Sequence, residues 1–400
     1  MSFSDRISRI KVSSTGAVVA RADQLKASGV RLFDFGAGEP DFPTPDNIKR
    51  AAAEALVANF TRYTPTGGIS DLKRAIVERH RHDFGSNYQP EECVVTVGGK
   101  QGIFEAVSAL VNSGDEVILP VPYWTSFLDI IRYADGQPVL LNTREDEGFA
   151  VRVAAVEGLI TPKTRLIMVN SPSNPTGAVV PPEEMEKLLA LAVRHNLWLL
   201  SDECYCRFLY DGVRPFSLGA SGNRENLVVV GSLSKTYAMT GWRVGFALGA
   251  SKLVSNMVKL QSHSTSNVTS FVQRGAVEAL TGPQDSVEAM RTEYERRRNR
   301  IVAGLNALPG VRCTMPGGAF YAYPNVSEYL SAGFDVTALT TRLLDEAQVA
   351  VVPGPAFGTD EHLRFSYAAS LEQIEQGLAR FGAFLKQLRP AYVPAAYAKV

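Results

Sequence analysis

The amino-acid sequence predicts an α/β protein whose larger part is a mainly parallel β-sheet covered by helices on both faces. Short apolar runs alternate with amphipathic segments through the middle of the chain, a pattern typical of strand, helix and strand units. In addition, 400 residues of which 45% are hydrophobic exceed what a single core usually holds. We therefore expect two domains: a large domain over residues 46–290, and a smaller α+β domain formed by residues 1–45 and 291–400.

The individual elements follow from the apolar pattern. Buried strands are expected at the runs CVVTV, EVILP, RLIMV, LWLLS, NLVVVG and RVGFALG. The segment from Ser286 to Leu308 has few helix breakers and ends before Pro309 and Gly310, so it predicts a long helix leaving the large domain. Beyond it, CTMPGGAFYAYP, VAVVPG and HLRFSYA predict short strands, and SLEQIEQGLARFGAFLKQL predicts a helix. The Pro- and Ala-rich tail from Arg389 is expected to be loosely held.

Charge and composition exclude several classes of function. Lysine plus arginine equals aspartate plus glutamate at 41 each, without a basic block, so no nucleic-acid or anionic-membrane surface is predicted. No apolar stretch approaches the roughly 18 residues of a membrane span, and the first residues lack a signal-peptide core, which predicts a cytoplasmic protein. The four cysteines show neither CxxC nor paired spacing, so neither a disulfide framework nor a metal site is expected. Small-molecule chemistry is the class that remains.

Polar residues follow the predicted strands, at the points where ligands bind in open α/β sheets. Each has an ordinary structural reading: Gly98 and Gly99 as a turn, Trp124 as core, Asn174 as a turn and Asp202 as a helix cap. Five separate elements, however, place ligand-binding residue types at one edge of the sheet. The fifth is the stretch SLSKTYAMTGWRVG, which follows the apolar run NLVVVG. The joint pattern therefore predicts a ligand site.

The residue types indicate a phosphorylated ligand. A helix start after Gly99, the hydroxyls of Ser232 and Ser234 and the guanidinium of Arg243 combine neutral donors with one charge-assisted bond to a phosphate. The chain has no GxxxxGK[ST] loop, and GAGEPDF is not a dinucleotide fingerprint. A single phosphate near Lys235, with an aspartate and a flat aromatic side chain, suggests pyridoxal phosphate.

The chain resembles a known family, the class I aminotransferases of the pyridoxal-phosphate fold type I group, and within it the bacterial aspartate/prephenate aminotransferases. The resemblance runs through nearly the whole chain and rests on the motifs FGAGEPDFPTP, YTPTGGISDLKRAI, VTVGGKQ, PYWTSF, NSPSNPTGAV, SDECY, SLSKTYAMTGWRVG, GGAFY and LRFSYAAS. It implies a large domain with a mainly parallel seven-stranded sheet, pyridoxal 5'-phosphate as cofactor, and a homodimer with shared active sites. Cys204 and Cys206 depart from the pattern, because the family more often has an aliphatic and an acidic residue there.

The resemblance also implies a role for each matching residue. Lys235 resembles the lysine that attacks the cofactor aldehyde and moves the substrate Cα proton, which requires a lowered pKa. Asp202 resembles the carboxylate that keeps the pyridine nitrogen protonated. The remaining cofactor contacts implied are Tyr205 and Asn174 at the phenolic oxygen, Trp124 on the ring face, the backbone of Gly99, Lys100 and Gln101 with Ser232, Ser234 and Arg243 at the phosphate, and Tyr63 at the phosphate of the neighbouring subunit.

For the substrate, Arg364 resembles the arginine that clamps the α-carboxylate, with Gly38 and Asn174 completing the clamp. The stretch KLQSHSTSNVTS, where many dicarboxylate aminotransferases carry an arginine for the distal carboxylate, has none. Lys100 and Lys11 match the lysines that take this part in the resembled subgroup. The implied reaction is L-aspartate plus 2-oxoglutarate giving oxaloacetate plus L-glutamate, with prephenate as a second acceptor.

Other functions share these residues and stay open at this stage. They are an aminotransferase with an aromatic or alanine donor, a pyridoxal-phosphate-dependent C–S lyase, and a ligand-sensing module of the same fold. The sensing function requires an attached DNA-binding domain, and the residues before Gly36 are few and not basic.

Overall fold

A seven-stranded β-sheet lies at the centre of the structure, a computed structural model that describes residues 3–11, 20–22, 24–25 and 27–388. Across the sheet the strands are β2 (Cys93–Thr96), β8 (Gly245–Gly249), β7 (Leu227–Ser232), β6 (Trp198–Asp202), β5 (Thr164–Asn170), β3 (Glu116–Val121) and β4 (Gln137–Asn142). Strand β8 runs antiparallel to both of its neighbours, and the other pairs are parallel. The α/β class and the mainly parallel sheet are thus confirmed.

Helices cover both faces of this sheet. They are α1 (Asp5–Ser8), α2 (Asp46–Val57), α3 (Ser70–Phe84), α4 (Gly98–Leu110), α5 (Thr125–Tyr133), α6 (Val153–Glu157), α7 (Pro182–Arg194), α8 (Leu233–Thr236), α9 (Ser251–Ser262) and α10 (Ser270–Thr281). Successive residues of β7 point to opposite faces, so Val229 packs in one hydrophobic cluster while Val228 and Val230 pack in another. Burial on both faces explains why the central strands are unbroken apolar runs.

A separate hydrophobic cluster forms beside the sheet, mainly from the C-terminal part of the chain. Its helices are α11 (Asp285–Asn306), α12 (Val336–Ala347) and α13 (Leu371–Leu388). Strands β11 (Val352–Pro353), β12 (Leu363–Ser366) and β9 (Tyr321–Ala322) pair antiparallel, and β1 (Phe33–Asp34) pairs in parallel with β10 (Val349–Ala350). The residues of β1 therefore pair with an element from the C-terminal part of the chain.

The structure differs from the sequence prediction in one strand of the C-terminal part. The strand predicted at CTMPGGAFYAYP is only two residues long, because Ala319 adopts left-handed backbone with φ of 58° and interrupts the extended chain. The domain boundaries at residues 45 and 290 stay a prediction, and α11 spans the second of them. The tail from Arg389 lies outside the described residues.

None of the helices in the described part of the chain is both long and apolar enough to cross a membrane.

Candidate active site

A cavity of about 310 Å³ lies at the edge of the sheet where the parallel strands end. Strand β8 runs the other way, so the residues that precede it, including Arg243, reach the same edge. The cavity is lined by Gly36, Gly38, Gly99, Lys100, Ile103, Trp124, Asn170, Asn174, Asp202, Cys204, Tyr205, Ser232, Ser234, Lys235, Thr240, Arg243, Tyr321 and Arg364. The structure therefore brings together nearly all the residues that the sequence placed at this edge.

Lys235 lies in the short helix α8 directly after β7. The Ser232 hydroxyl accepts a hydrogen bond from the Ser234 amide at 3.2 Å and so caps this helix. The Lys235 ammonium donates to the Gly38 carbonyl at 2.5 Å. Burial lowers the pKa of Lys235 to about 8, and the nearby guanidinium groups of Arg364 and Arg243 add to this effect. A substantial fraction of the amine is therefore neutral near pH 8.

Asp202 ends strand β6 and is buried, with 4% of its surface exposed. Burial raises the pKa of this carboxyl to about 6, and hydrogen bonds from Cys204, including its amide at 3.1 Å, oppose that rise. The carboxyl is consequently ionised at neutral pH. A buried anion at this position fits a cationic partner inside the cavity.

At the start of helix α4, neighbouring atoms leave no room for a side chain at Gly98 or Gly99, and the backbone there forms a cradle. Gly98 adopts φ of +74°, and a Cβ there would lie 2.4 Å from the Arg243 guanidinium. A Cβ on Gly99 would lie 2.9 Å from the Cys204 sulfur. The Gln101 side chain turns back to accept from the Val97 amide at 2.5 Å, and the amides of the first helical turn have no partner within the helix. Helix amides, two serine hydroxyls and one arginine make a donor set that fits a phosphate.

Arg364 lies on β12 and is held rigidly, with 3% of its surface exposed. Its guanidinium donates to the Asn174 side-chain oxygen at 3.1 Å and to the Gly36 carbonyl at 2.8 Å. The centres of the Tyr321 and Phe357 rings lie 4.7 and 5.1 Å from the guanidinium carbon. The buried Nε atom has no partner among the described residues. A guanidinium held in this way is suited to bind a carboxylate.

Two further contacts complete the lining. The Tyr205 and Tyr321 hydroxyl oxygens are 2.8 Å apart. The Lys100 ammonium lies 5.0 Å from the centre of the Trp124 ring. Burial lowers the pKa of Lys100, and the Arg243 guanidinium lowers it further. Both cations lie at the side of the cavity formed by the start of α4.

Three residues predicted for the site do not line this cavity. The Gln101 side chain caps the helix and donates to the Thr265 hydroxyl at 2.6 Å. Tyr63 is 91% exposed, and Lys11 is also exposed to solvent. The resemblance assigns Tyr63 to the cavity of a neighbouring subunit, and that assignment stays a prediction.

Six residues that line the cavity were not predicted as site residues from the sequence: Gly36, Ile103, Asn170, Cys204, Thr240 and Tyr321. Asn170 ends β5, so the strand-end rule would have found it. It donates to the Asp202 carbonyl at 3.2 Å and accepts from the Asn174 amide at 2.8 Å, which ties two neighbouring loops together. Tyr321 belongs to the motif GGAFY, which contributes to the family resemblance but predicts no role for this tyrosine.

A sequence model of the family "aminotransferase class I and II" matches residues 30–381. The chain belongs to this family. Among the relatives, this aminotransferase is 41% identical to the aspartate aminotransferase of Bacillus sp. strain YM-2, over 96% of this chain and 99% of the relative. It is 42% identical to the aspartate/prephenate aminotransferase of Cereibacter sphaeroides, over 96% and 98% of the two chains.

The aminotransferase also superimposes on solved structures. The aspartate aminotransferase of Thermus thermophilus with maleate matches with a TM-score of 0.92 and 42% identity, over 96% of this chain and 100% of that one. The enzyme from Rhizobium meliloti matches with a TM-score of 0.91 and 39% identity, over 96% and 99% of the two chains. The identification as an aminotransferase of this fold is therefore confirmed.

Proposed function

We propose that this enzyme is a pyridoxal-phosphate-dependent aspartate aminotransferase that converts L-aspartate and 2-oxoglutarate to oxaloacetate and L-glutamate. Prephenate is its second amino acceptor. The observation that carries the proposal is the convergence of Lys235, Asp202 and Arg364 in one cavity of about 310 Å³. The names of the relatives from Bacillus and Cereibacter support the choice of substrates.

The hydrogen-bond donors and charged groups that line the cavity fit pyridoxal phosphate. The phosphate would be held by the amides of Gly99, Lys100 and Gln101, the hydroxyls of Ser232 and Ser234, and Arg243. Asp202 would pair with the ring nitrogen, Tyr205 and Asn174 with the phenolic oxygen, and Trp124 with the ring face. When bound, the cofactor supplies an aldehyde for the amino group and a cationic ring that withdraws electrons from the substrate Cα.

The reacting groups of the chain are Lys235 and Asp202. Lys235 Nζ must be neutral to attack an aldehyde and later to take and return the substrate Cα proton. A pKa of about 8 provides this neutral form near physiological pH. Asp202, anionic and shielded from water, keeps a proton at the ring nitrogen by its charge.

The substrate is held at both of its carboxylates. Arg364 binds the α-carboxylate through a planar pair of donors, which Asn174 and the flanking aromatic rings hold in place. Lys100 binds the distal carboxylate from the face of Trp124. Lys11 is exposed in the single chain, so its proposed share in this recognition requires the N-terminal segment to approach the cavity.

The active unit is proposed to be a cytoplasmic homodimer. Tyr63 lies in the loop between α2 and α3 and is almost fully exposed, although the burial of an aromatic ring is favourable. In a dimer its hydroxyl would reach the phosphate in the cavity of the partner subunit.

The decisive experiment is a panel of amino donors against 2-oxoglutarate, with oxaloacetate and glutamate measured directly. Lys100→Ala should reduce kcat/KM for aspartate by about 10- to 100-fold, the value of one charge-assisted bond, and affect alanine and phenylalanine far less. Lys252→Ala, at an exposed site in α9, is the control and should change none of them. Equal losses for all donors would mean that another residue recognises the distal carboxylate.

Pyruvate and ammonia from cystathionine, without glutamate, would identify a C–S lyase instead.

A further inference from the structure

Tyr321 lies where three groups of the active site meet. It begins strand β9, pairs with Ser366 of β12, and is 1% exposed. Its hydroxyl lies 2.8 Å from the Tyr205 hydroxyl. A Cβ on Gly38, whose carbonyl accepts from Lys235, would lie 3.1 Å from the same hydroxyl. The Tyr321 hydroxyl therefore lies next to the Tyr205 hydroxyl and close to Gly38, the residue whose carbonyl accepts from Lys235.

The ring and the hydroxyl of Tyr321 serve different neighbours. The centre of the Tyr321 ring lies 4.7 Å from the guanidinium carbon of Arg364, and the centre of the Phe357 ring lies 5.1 Å from the same atom. The Tyr205 ring meets the Tyr321 ring edge-on, with centroids 5.7 Å apart. Replacing Tyr321 by phenylalanine would therefore keep both ring contacts and remove only the hydroxyl.

The hydroxyl pair contains two protons, and only one of them can lie between the two oxygens. Burial raises the pKa of both phenols, so both remain protonated at neutral pH. For the Tyr321 hydroxyl, the partner found within the described part of the chain is Tyr205. A buried donor is normally paired, which favours donation from Tyr321 to Tyr205. The Tyr205 proton is then free to point into the cavity.

We infer that Tyr321 is a positioning residue, whose hydroxyl donates to Tyr205 and so directs the Tyr205 proton to the phenolic oxygen of the bound cofactor. The inference rests on the proposed function, which assigns Tyr205 to that oxygen. Donation by Tyr321 also polarises the Tyr205 hydroxyl, and this makes Tyr205 a stronger donor. The phenolic oxygen is thereby stabilised as an anion, and Lys235 Nζ releases its proton more readily.

The test is a pH titration of the visible absorption band of the cofactor-loaded enzyme, whose midpoint reports the proton at Lys235 Nζ. Tyr321→Phe should raise the midpoint by about 0.5 pH unit, as expected for the loss of one neutral hydrogen bond. Tyr205→Phe should raise it further, and the double variant should match Tyr205→Phe alone. KM for aspartate should stay within about twofold in Tyr321→Phe, because the ring beside Arg364 remains.

Tyr323→Phe is the matched control, because this tyrosine is also buried and follows β9, but its hydroxyl contacts Thr359 at 2.6 Å. Its midpoint should equal that of the wild type. A shift in Tyr205→Phe without one in Tyr321→Phe would overturn the inference and leave the proposed function intact. No shift in either variant would refute the role of Tyr205 itself. An effect of Tyr321→Phe that persists in the Tyr205→Phe background would show that Tyr321 acts directly, which also overturns the inference.

Discussion

The helix that begins at the phosphate cradle buries an acidic residue, Glu105, in its middle. The side chain is 1% exposed, and neither carboxyl oxygen has a hydrogen-bond partner among the described residues. Burial raises the pKa of this carboxyl from 4.5 to about 8. We predict that Glu105→Gln, a neutral group of the same shape, leaves the free energy of unfolding nearly unchanged at pH 5 and raises it at pH 8.

The magnitude follows from the two pKa values. Below pH 4.5 the carboxyl is protonated in both states, so it adds no pH-dependent penalty. As the pH rises from 4.5 to 8, the unfolded chain releases this proton and the folded protein retains it, so stability is lost across this window. At 1.36 kcal/mol per pH unit, the loss is about 4 kcal/mol at pH 8 and below about 1 kcal/mol at pH 5. The neutral amide of the variant avoids this loss.

Urea unfolding of wild type and variant at both pH values, followed by tryptophan fluorescence, measures the difference. Glu54→Gln, at an exposed carboxylate on α2, is the control and should behave like the wild type at both pH values. A stability difference between Glu105→Gln and wild type that is the same at pH 5 and pH 8 would refute the reasoning. So would a variant that is less stable than wild type at pH 8.

Three further predictions concern the active site. Because the pKa of Lys235 is about 8, the rate at which cofactor-free enzyme captures pyridoxal phosphate should rise about tenfold per pH unit below pH 8 and level off above it. Stopped-flow absorbance measures this rate, and a rate that keeps rising up to pH 10 would contradict the prediction. Arg364→Lys, which replaces a planar fork by a point charge, should lower kcat/KM for aspartate by roughly 100-fold, chiefly through KM in steady-state assays. Asp202→Asn should retain the cofactor and slow the aspartate half-reaction roughly tenfold or more in single-turnover measurements, and an unchanged rate would mean that another group keeps the ring charged.

The sequence predicted the central strands well because burial on both faces leaves a clear apolar signature. All six apolar runs form strands of the sheet. The remaining strand, Gln137–Asn142, was not predicted, although it contains the apolar run Val139 to Leu141. It lies at the edge of the sheet, and most of its residues are partly or fully exposed. Polar side chains on an edge strand keep their contact with water, so such a strand has a weaker apolar pattern than a central one.

The site was predictable where it depends on strand ends and not where it depends on distant chain segments. Asp202 is the last residue of one buried strand and Lys235 lies in the helix that follows the next, so the sheet topology alone brings them to one edge. Tyr321 comes from a two-residue strand beyond the long helix α11. Its position beside Tyr205 depends on how the C-terminal elements pack against the sheet, which no local pattern encodes.

Burial and bound anions act on the pKa of Lys235 in opposite directions. The cavity gathers cations at Lys100, Arg243 and Arg364, and a bound phosphate and two carboxylates would neutralise much of their charge. Each anion that enters would favour the charged amine and so raise the pKa of Lys235. Burial is the largest cause of the low pKa; Cys204 and Glu39 raise this pKa, and the two arginines lower it to a smaller extent. Because bound ligands also exclude water, they strengthen the effect of burial, which opposes the rise in pKa that their own charges cause.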